Sequence, residues 1–242
     1  MIRSLQLVFD CADPDRIIRF WGPALQYPDD FAYGGAGWEA TDDEVRSFRE
    51  QHPQYDGRGR IDDDDRRRVG IFIQRVPESK QQPNRVRPEL GVPETHLPEH
   101  RQRLADLGAT ISEVGPCRDL EGNEFTLVGN QPRPSVEVWV QSIVIDCLDP
   151  ARMVAFWSAA LGYSAAGDRC EPVDPLPSLS PGLSFNRMAE PKTIKNRLHL
   201  DLNCADYRAE TDRLCDLGAT AMAHHDSFIA FQDPEGNEFC TQ

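Results

Sequence analysis

Residues 119–125 read DLEGNEF and residues 233–239 read DPEGNEF, so the chain contains almost the same seven residues twice. The Asp-Pro-x-Gly-Asn pattern suits a tight turn, because proline fixes φ at the second position and glycine accepts a positive φ. The residues that follow alternate in polarity as a strand does, with the phenylalanine facing inward. Each copy therefore predicts a hairpin turn that leads into a strand.

The repetition extends well beyond this turn. FDCADPDRIIRFWGPAL at 9–25 matches IDCLDPARMVAFWSAAL at 145–161, with an offset of 136. QRVPESKQQPNRV at 74–86 matches NRMAEPKTIKNRL at 186–198, with an offset of 112. The fall from 136 to 112 places about 24 additional residues in the first half. Nearly all of one half thus recurs in the other, in the same order.

The repeat predicts two homologous domains. The first spans 1–129 with an insertion at about 28–68, and the second spans 136–242. Between them NQPRPS at 130–135 is polar and contains two prolines, which is typical of a linker. Within the insertion, residues 42–51 begin with acidic residues and are predicted to form a short helix.

Each half alternates strands and helices. In the second half, 141–147 alternates as a strand, and 149–162 reads as a helix that Asp149 caps and Gly162 ends. Residues 183–188 and 196–204 are further predicted strands, and the segment around 206–217 reads as an amphipathic helix.

Composition narrows the classes of partner. The formal net charge of −14 disfavours nucleic acid and anionic membrane surfaces, because like charges repel. No apolar run approaches the roughly 18 residues that a membrane span needs. The seven cysteines are odd in number and form no CxxC pair, which favours a reduced protein in the cytoplasm.

The motifs xDPxRxxxFWxxxLG, NRxHLDL, DLGAT and DPEGNEF, in that order, resemble the glyoxalase-like branch of the vicinal oxygen chelate superfamily. This superfamily includes glyoxalase I, extradiol dioxygenases and bleomycin- or fosfomycin-resistance proteins. The resemblance covers both halves and breaks at the insertion. It implies an α+β fold of four βαβββ units, in which curled mixed sheets form two cups with helices outside.

Strand alternation separates an apolar face from a polar one. In 197–203, for example, leucines occupy every second position and polar residues occupy the others. The apolar face is expected to pack on helices, and the polar face to line a cup that binds a small molecule. The candidate site residues on polar faces are Asp10, Arg87, Glu89, Ser142, Asp146, Arg197, His199, Asp201, Glu238 and Cys240.

The resemblance also implies metal-ligand positions on the first and last strands of each unit. The first cup would offer Gln6, Arg87 and Thr126, and the second Ser142, His199 and Cys240. Tight divalent sites normally need three or four good donors, and only His199 is a standard match. We therefore expect no metal or other cofactor, with His199 and Cys240 as weak candidates. Glyoxalase I activity and extradiol cleavage, which need that metal, are disfavoured.

Two interpretations of His199 stay open. It is either a structural residue hydrogen-bonded to Asp201 or Asp146, or a ligand-contacting acid–base residue oriented by one of those carboxylates. Cys240 is either a small buried residue or, if His199 lies within hydrogen-bond reach, a nucleophile.

Arg87 occupies the matching position in the first half, where we expect it to pair with Glu89 or Asp10. Two cups that differ at this position are not expected to catalyse the same reaction.

Three functions remain open. The chain is a metal-independent lyase or isomerase that uses His199 with Asp146 or Asp201, a resistance-type protein that sequesters an antibiotic or metabolite, or a metal-dependent lyase or dioxygenase. The first two are favoured, with a small organic molecule as the ligand. Four units in one chain can satisfy the pairing of units internally, so a monomer or a homodimer is expected.

Overall fold

The computed structural model describes residues 2–27, 41–51, 58–61, 68–133, 136–173 and 180–242. Much of the predicted insertion, and residues 134 and 135 of the predicted linker, lie outside these ranges. The proposed domain boundaries stay a prediction.

The described chain contains five α-helices and fourteen strands. The helices are α1 (Pro14–Ala24), α2 (Asp42–Gln51), α3 (Leu97–Asp106), α4 (Pro150–Leu161) and α5 (Glu210–Asp216), and a short 3-10 helix (Glu94–His96) precedes α3. The strands are β1 (Ile2–Cys11), β2 (Arg58–Ile61), β3 (Gly70–Arg75), β4 (Val86–Pro93), β5 (Cys117–Arg118), β6 (Glu124–Asn130), β7 (Trp139–Cys147), β8 (Ser164–Ala166), β9 (Arg169–Glu171), β10 (Gly182–Arg187), β11 (Leu198–Cys204), β12 (Thr220–His224), β13 (Ile229–Gln232) and β14 (Glu238–Thr241).

The strands form two mixed sheets of seven strands each. The histidine sheet, which carries His199, has the order β12-β13-β14-β11-β1-β3-β2. The arginine sheet, which carries Arg87, has the order β5-β6-β4-β7-β10-β9-β8. The predicted α+β class, with glyoxalase-type units, is confirmed.

Each sheet combines strands from both halves of the sequence. In the histidine sheet β1 runs antiparallel to β11, with Leu7 opposite Leu200. In the arginine sheet β4 runs antiparallel to β7, with Pro88 opposite Ile143. The expectation that each half forms its own cup is therefore wrong. Strands pair through backbone hydrogen bonds that do not depend on sequence distance, so the first unit joins the fourth and the second joins the third.

One apolar core joins the two sheets. The Trp21 ring of α1 contacts Phe9 of the histidine sheet, 5.0 Å between ring centroids, and Phe125 of the arginine sheet, 5.4 Å. Trp157 of α4 contacts Phe239 at 5.2 Å. Both tryptophans are almost fully buried, and each such side chain contributes on the order of 2–3 kcal/mol through burial.

The helix ends follow local rules. Asp149 accepts a hydrogen bond from the Arg152 amide at the start of α4, and Gly162 ends that helix in the left-handed region with φ of 71°. Helix α5 is shorter than predicted and begins at Glu210. The reason is a turn at Asp206, whose carboxylate accepts hydrogen bonds from the backbone amides two and three residues further on, those of Arg208 and Ala209.

The repeated phrase connects each hairpin to the helix of its own half. The Asp119 carboxylate accepts from Trp21 Nε1 at 3.0 Å and from the Asn123 amide at 2.8 Å. The Asp233 carboxylate likewise accepts from Trp157 Nε1 at 3.3 Å and from the Asn237 amide at 2.9 Å. The glycines in the two turns have φ of 80° and 82°, as predicted.

The glutamate of the phrase holds the turn before each helix. Glu121 accepts from the amides of Ala12 and Asp13, and Glu235 accepts from those of Leu148 and Asp149. The phrase therefore occurs twice because each half needs the same buried connection between hairpin and helix.

None of the helices in the described ranges is long and apolar enough to cross a membrane.

Candidate functional site

The polar face of the histidine sheet brings together residues from three strands. Gln6 of β1 lies opposite Asp201 of β11, and Asp201 lies opposite Cys240 of β14. His199 lies two residues before Asp201, on the same face of β11 and opposite Val8. Side chains at paired positions point to the same side of a sheet, so these residues form one cluster.

His199 and Asp201 form the centre of this cluster. His199 Nε2 lies 3.5 Å from Asp201 Oδ1, and the two residues are only 7% and 9% exposed. Neither His199 Nδ1 nor Asp201 Oδ1 has a hydrogen-bond partner among the described residues. Buried polar atoms are nearly always hydrogen-bonded, so these two atoms are exceptions with unused bonding capacity.

The surroundings of Cys240 disfavour its thiolate form. Burial, together with the charges of Asp201 and Asp10, raises the pKa of the Cys240 thiol well above its usual value. The thiol donates a hydrogen bond to Asp201, which partly offsets the rise that burial causes in the pKa of that carboxyl. A role for Cys240 as an activated nucleophile has no support here, because its neighbour is a carboxylate.

Asp10 lies at one end of the same polar face and is 1% exposed. Gln74 Nε2 donates to Asp10 Oδ1 at 2.5 Å, and Lys195 Nζ donates to Asp10 Oδ2. Sequence reasoning missed Gln74 and Lys195. Alternation within 70–75 places Gln74 on this face, but Lys195 precedes its strand and carries no such signal.

The arginine sheet has an ion pair at the corresponding place. Arg87 donates to Asp146 through both terminal nitrogens, at 2.5 and 2.8 Å, and also to the Asn84 carbonyl at 2.7 Å. The expected pairing of Arg87 with Glu89 or Asp10 is wrong, and so is a dyad of His199 with Asp146. The cause is the pairing of units across the halves, which separates Asp146 from His199.

The remaining polar residues of the arginine sheet bind one another. The Ser142 and Ser184 hydroxyls lie 2.8 Å apart, and Gln141 Nε2 donates to Glu89 at 3.2 Å. Ser142 therefore lies in a different sheet from His199 and Cys240, contrary to the predicted grouping. A cavity of about 410 Å³ adjoins this face, lined partly by Arg87, Glu89 and Thr126.

Two other predicted site residues serve the frame around the cluster. Glu238 accepts from Lys192 Nζ at 2.6 Å and from the Asn196 amide at 3.1 Å. Arg197 donates to the Glu78 carbonyl and to the Glu121 carboxylate, the latter at 3.2 Å. These contacts hold the segments before β11 and β14.

The cluster also contains possible metal donors. One nitrogen of His199, one oxygen of Asp201 and the sulfur of Cys240 all lie within 4.8 Å of one another. The unpartnered Nδ1 and Oδ1 and the mixture of donor types fit a small divalent ion such as zinc. Ligation by sulfur needs loss of the thiol proton, which burial opposes. Gln6 and its partner Gln242, 2.9 Å apart, lie beside this set.

The family model described as the glyoxalase-like domain matches residues 6–128 and 142–242 of this chain. The chain belongs to the glyoxalase-like domain family. The two matched segments agree with the internal repeat. No curated protein sequence gives a significant match.

Solved structures show the same fold for the whole glyoxalase-like chain. Glyoxalase I from Zea mays is similar with a TM-score of 0.65 and 13% sequence identity, over 100% of this chain and 92% of the maize chain. A protein from Bacillus subtilis, proposed to be a dioxygenase, is similar with a TM-score of 0.59 and 12% identity, over 99% of this chain and 84% of its own. At these identities the likeness shows the fold alone.

Proposed function

We propose that this glyoxalase-like protein binds a small polar organic molecule on the polar face of the histidine sheet, where His199 exchanges a proton with it. The observation that carries the proposal is the buried, unpartnered His199 Nδ1, beside Asp201 Oδ1, which has no hydrogen bond and lies 3.5 Å from His199 Nε2. A ligand with a hydroxyl or carbonyl group satisfies one or both of them.

The roles within the dyad follow from the geometry. Asp201 faces Nε2 of the imidazole, so this residue orients the ring. Nδ1 is then the atom at which a proton passes between His199 and the ligand. The Cys240 thiol donates to Asp201 and keeps that carboxylate in place.

Substitution of His199 by glutamine tests this proposal, because glutamine keeps polarity and approximate size but cannot exchange a proton near neutral pH. Ligands are first found by thermal-shift screening of small carbonyl and hydroxyl compounds against the unmodified protein. An enzyme with this mechanism loses turnover by about 10²-fold or more while its affinity stays similar. A sequestering protein shows no turnover and loses only affinity. Unchanged turnover and unchanged affinity in His199→Gln refute the proposal.

A metal-dependent activity is the second candidate, since the three donor atoms of His199, Asp201 and Cys240 lie so close together. These residues would hold the ion, which supplies Lewis-acid polarisation of a bound oxygen. Metal analysis of protein purified without chelators distinguishes the two candidates. Stoichiometric metal that is lost in Cys240→Ser and His199→Gln favours the second, and sub-stoichiometric metal favours the first.

A further inference from the structure

A second cavity lies between the two connecting segments of the halves. We call it the linker pocket after these two connecting segments, which are distinct from the linker at 130–135. It has a volume of about 230 Å³ and is formed by residues of the 76–85 segment, by residues 194–197 and by Asp10. The repeat offset of 112 relates the two segments, so the pocket lies where equivalent parts of the halves meet.

Two equivalent arginines cross this junction in opposite directions. Arg85 donates to the carbonyls of Glu190 and Pro191, at 2.6 and 2.9 Å. Arg197 donates to the carbonyl of Glu78, which is the residue equivalent to Glu190. Lys195, paired with Asp10, adds a third cationic side chain to the lining.

Arg197 has an unsatisfied hydrogen-bond donor at this pocket. It is 9% exposed and lines the linker pocket, yet its Nε has no acceptor among the described residues. Its terminal nitrogens are bonded to Glu78 and Glu121. A charged guanidinium donor binds an anionic oxygen more strongly than a neutral one.

Two carboxylates at the pocket already have donors of their own, and a third, Glu78 of the lining, is exposed to solvent. Asp10 accepts from Lys195 and Gln74, and Glu121 accepts from two backbone amides and from Arg197. Among the buried groups at the pocket, the open bonding position is therefore a donor, Arg197 Nε, which selects an acceptor group in the ligand.

We propose that the linker pocket binds the carboxylate of a small organic acid, which accepts a hydrogen bond from Arg197 Nε. Val76, Pro83 and Ile194 supply apolar wall for the rest of such a molecule. Asp10 belongs both to this pocket and to the polar face that carries His199, so the pocket adjoins the proposed site. The assignment of the acid as the ligand of the His199 site rests on the proposed function, whereas carboxylate binding at Arg197 does not.

Benzoate and its neutral isostere benzamide are the probes for this inference. Each is titrated into the full-length protein and followed by ligand-observed NMR. Benzoate is expected to bind at least tenfold more tightly than benzamide, because only benzoate offers an anionic oxygen. Equal affinities, or no benzoate binding at 20-fold excess over protein in the millimolar range, overturn the inference.

Three variants locate the binding. Arg197→Gln is expected to weaken benzoate binding at least tenfold, whereas Arg85→Gln, a matched change in the same pocket, weakens it no more than about threefold. Ile194→Trp fills the pocket at a partly exposed position without altering charge, so it tests occupancy even if Arg197→Gln does not fold. Equal losses in both arginine variants, or unchanged binding in Ile194→Trp, contradict the inference.

His199→Gln separates this inference from the proposed function. Benzoate binding is expected to survive this change within about twofold. Loss of benzoate binding in His199→Gln places the carboxylate at the histidine instead, which overturns the linker-pocket assignment and supports the proposed function. Retained benzoate binding together with unchanged turnover in His199→Gln refutes the proposed function and leaves the pocket assigned.

Discussion

The two sheets have the same construction but different chemistry at their centres. In the arginine sheet, Arg87 and Asp146 bind each other through two hydrogen bonds. In the histidine sheet, the equivalent of Arg87 is His199, which faces Asp201 at 3.5 Å and keeps an unpartnered ring nitrogen. Asp10, the equivalent of Asp146, binds Lys195 from outside the sheet.

This difference separates a polar face whose central groups bind each other from one whose central groups keep unused bonding capacity. The Arg87–Asp146 ion pair holds strands β4 and β7 together. Its charged groups are already hydrogen-bonded, so few donors or acceptors remain for a ligand. A face with unpartnered buried atoms is less stable than one in which every buried polar atom is hydrogen-bonded. The repeat thus preserves a frame while its central residues differ in the partners they contact.

The largest expected effect is in the arginine sheet. Arg87→Ala leaves the Asp146 carboxylate buried without its partner and is expected to destabilise the protein by about 3–5 kcal/mol. His199→Ala is expected to reduce stability by only about 1 kcal/mol, since the contact of Nε2 with Asp201 is long, at 3.5 Å, and Nδ1 has no partner to lose. Urea unfolding followed by circular dichroism measures both.

The double variant Arg87→Ala, Asp146→Ala is the control for this comparison. It removes both charges and is expected to be more stable than Arg87→Ala alone. If His199→Ala destabilises the protein as much as Arg87→Ala does, the proposed division between the two sheets is wrong.

The repeated turns provide a symmetric test. Asp119→Ala and Asp233→Ala each remove an acceptor for a buried tryptophan Nε1 and for two backbone amides, so each is expected to destabilise by about 3 kcal/mol. The two values, measured by urea unfolding, are expected to agree within about 1 kcal/mol. A large loss in one variant with none in the other shows that the halves are not held by equivalent connections.

The glutamates of the same turns are expected to differ. Glu121 holds two backbone amides and Arg197, whereas the hydrogen bonds of Glu235 in the described chain are to two backbone amides. Glu121→Gln is therefore expected to destabilise by about 2 kcal/mol and Glu235→Gln by about 1 kcal/mol. Thermal unfolding of both variants gives the comparison, and the reverse order contradicts the role assigned to Arg197.

The smallest expected effect is a change in pH dependence. Burial raises the pKa of Asp201, so the folded state binds this proton more readily than the unfolded state does. The resulting stability is present below the usual aspartate pKa of 3.8 and is lost as pH rises through the folded value.

Asp201→Asn removes the ionisable carboxyl group, and with it this loss of stability at higher pH. The free energy of unfolding of the variant is expected to rise relative to that of the unmodified protein as pH rises from 4 to 7, by a difference within about 1 kcal/mol. Unfolding free energies measured across that range test the sign. Parallel pH profiles for the two proteins contradict it.

Local features of the fold could be predicted from particular residues. Asp149 and Gly162 mark the ends of α4, and Trp157 lies in the core as its helical spacing indicates. Alternation in 197–203 assigned His199 and Asp201 to one face, which the structure brings within 3.5 Å. These features depend on residues close in sequence, so backbone periodicity is enough to predict them.

The amino-acid sequence by itself determined the repeat, the elements of each unit and the face on which each polar side chain lies. Only the tertiary structure decided which units share a sheet, and so that Gln6 lies beside Asp201 while Ser142 lies opposite Glu89. The physical reason is that strands of homologous units offer nearly identical backbone edges, so that local pattern does not distinguish pairing within a half from pairing between halves. Packing of the whole chain around one core makes that choice, and with it sets the partners of His199 and Arg87.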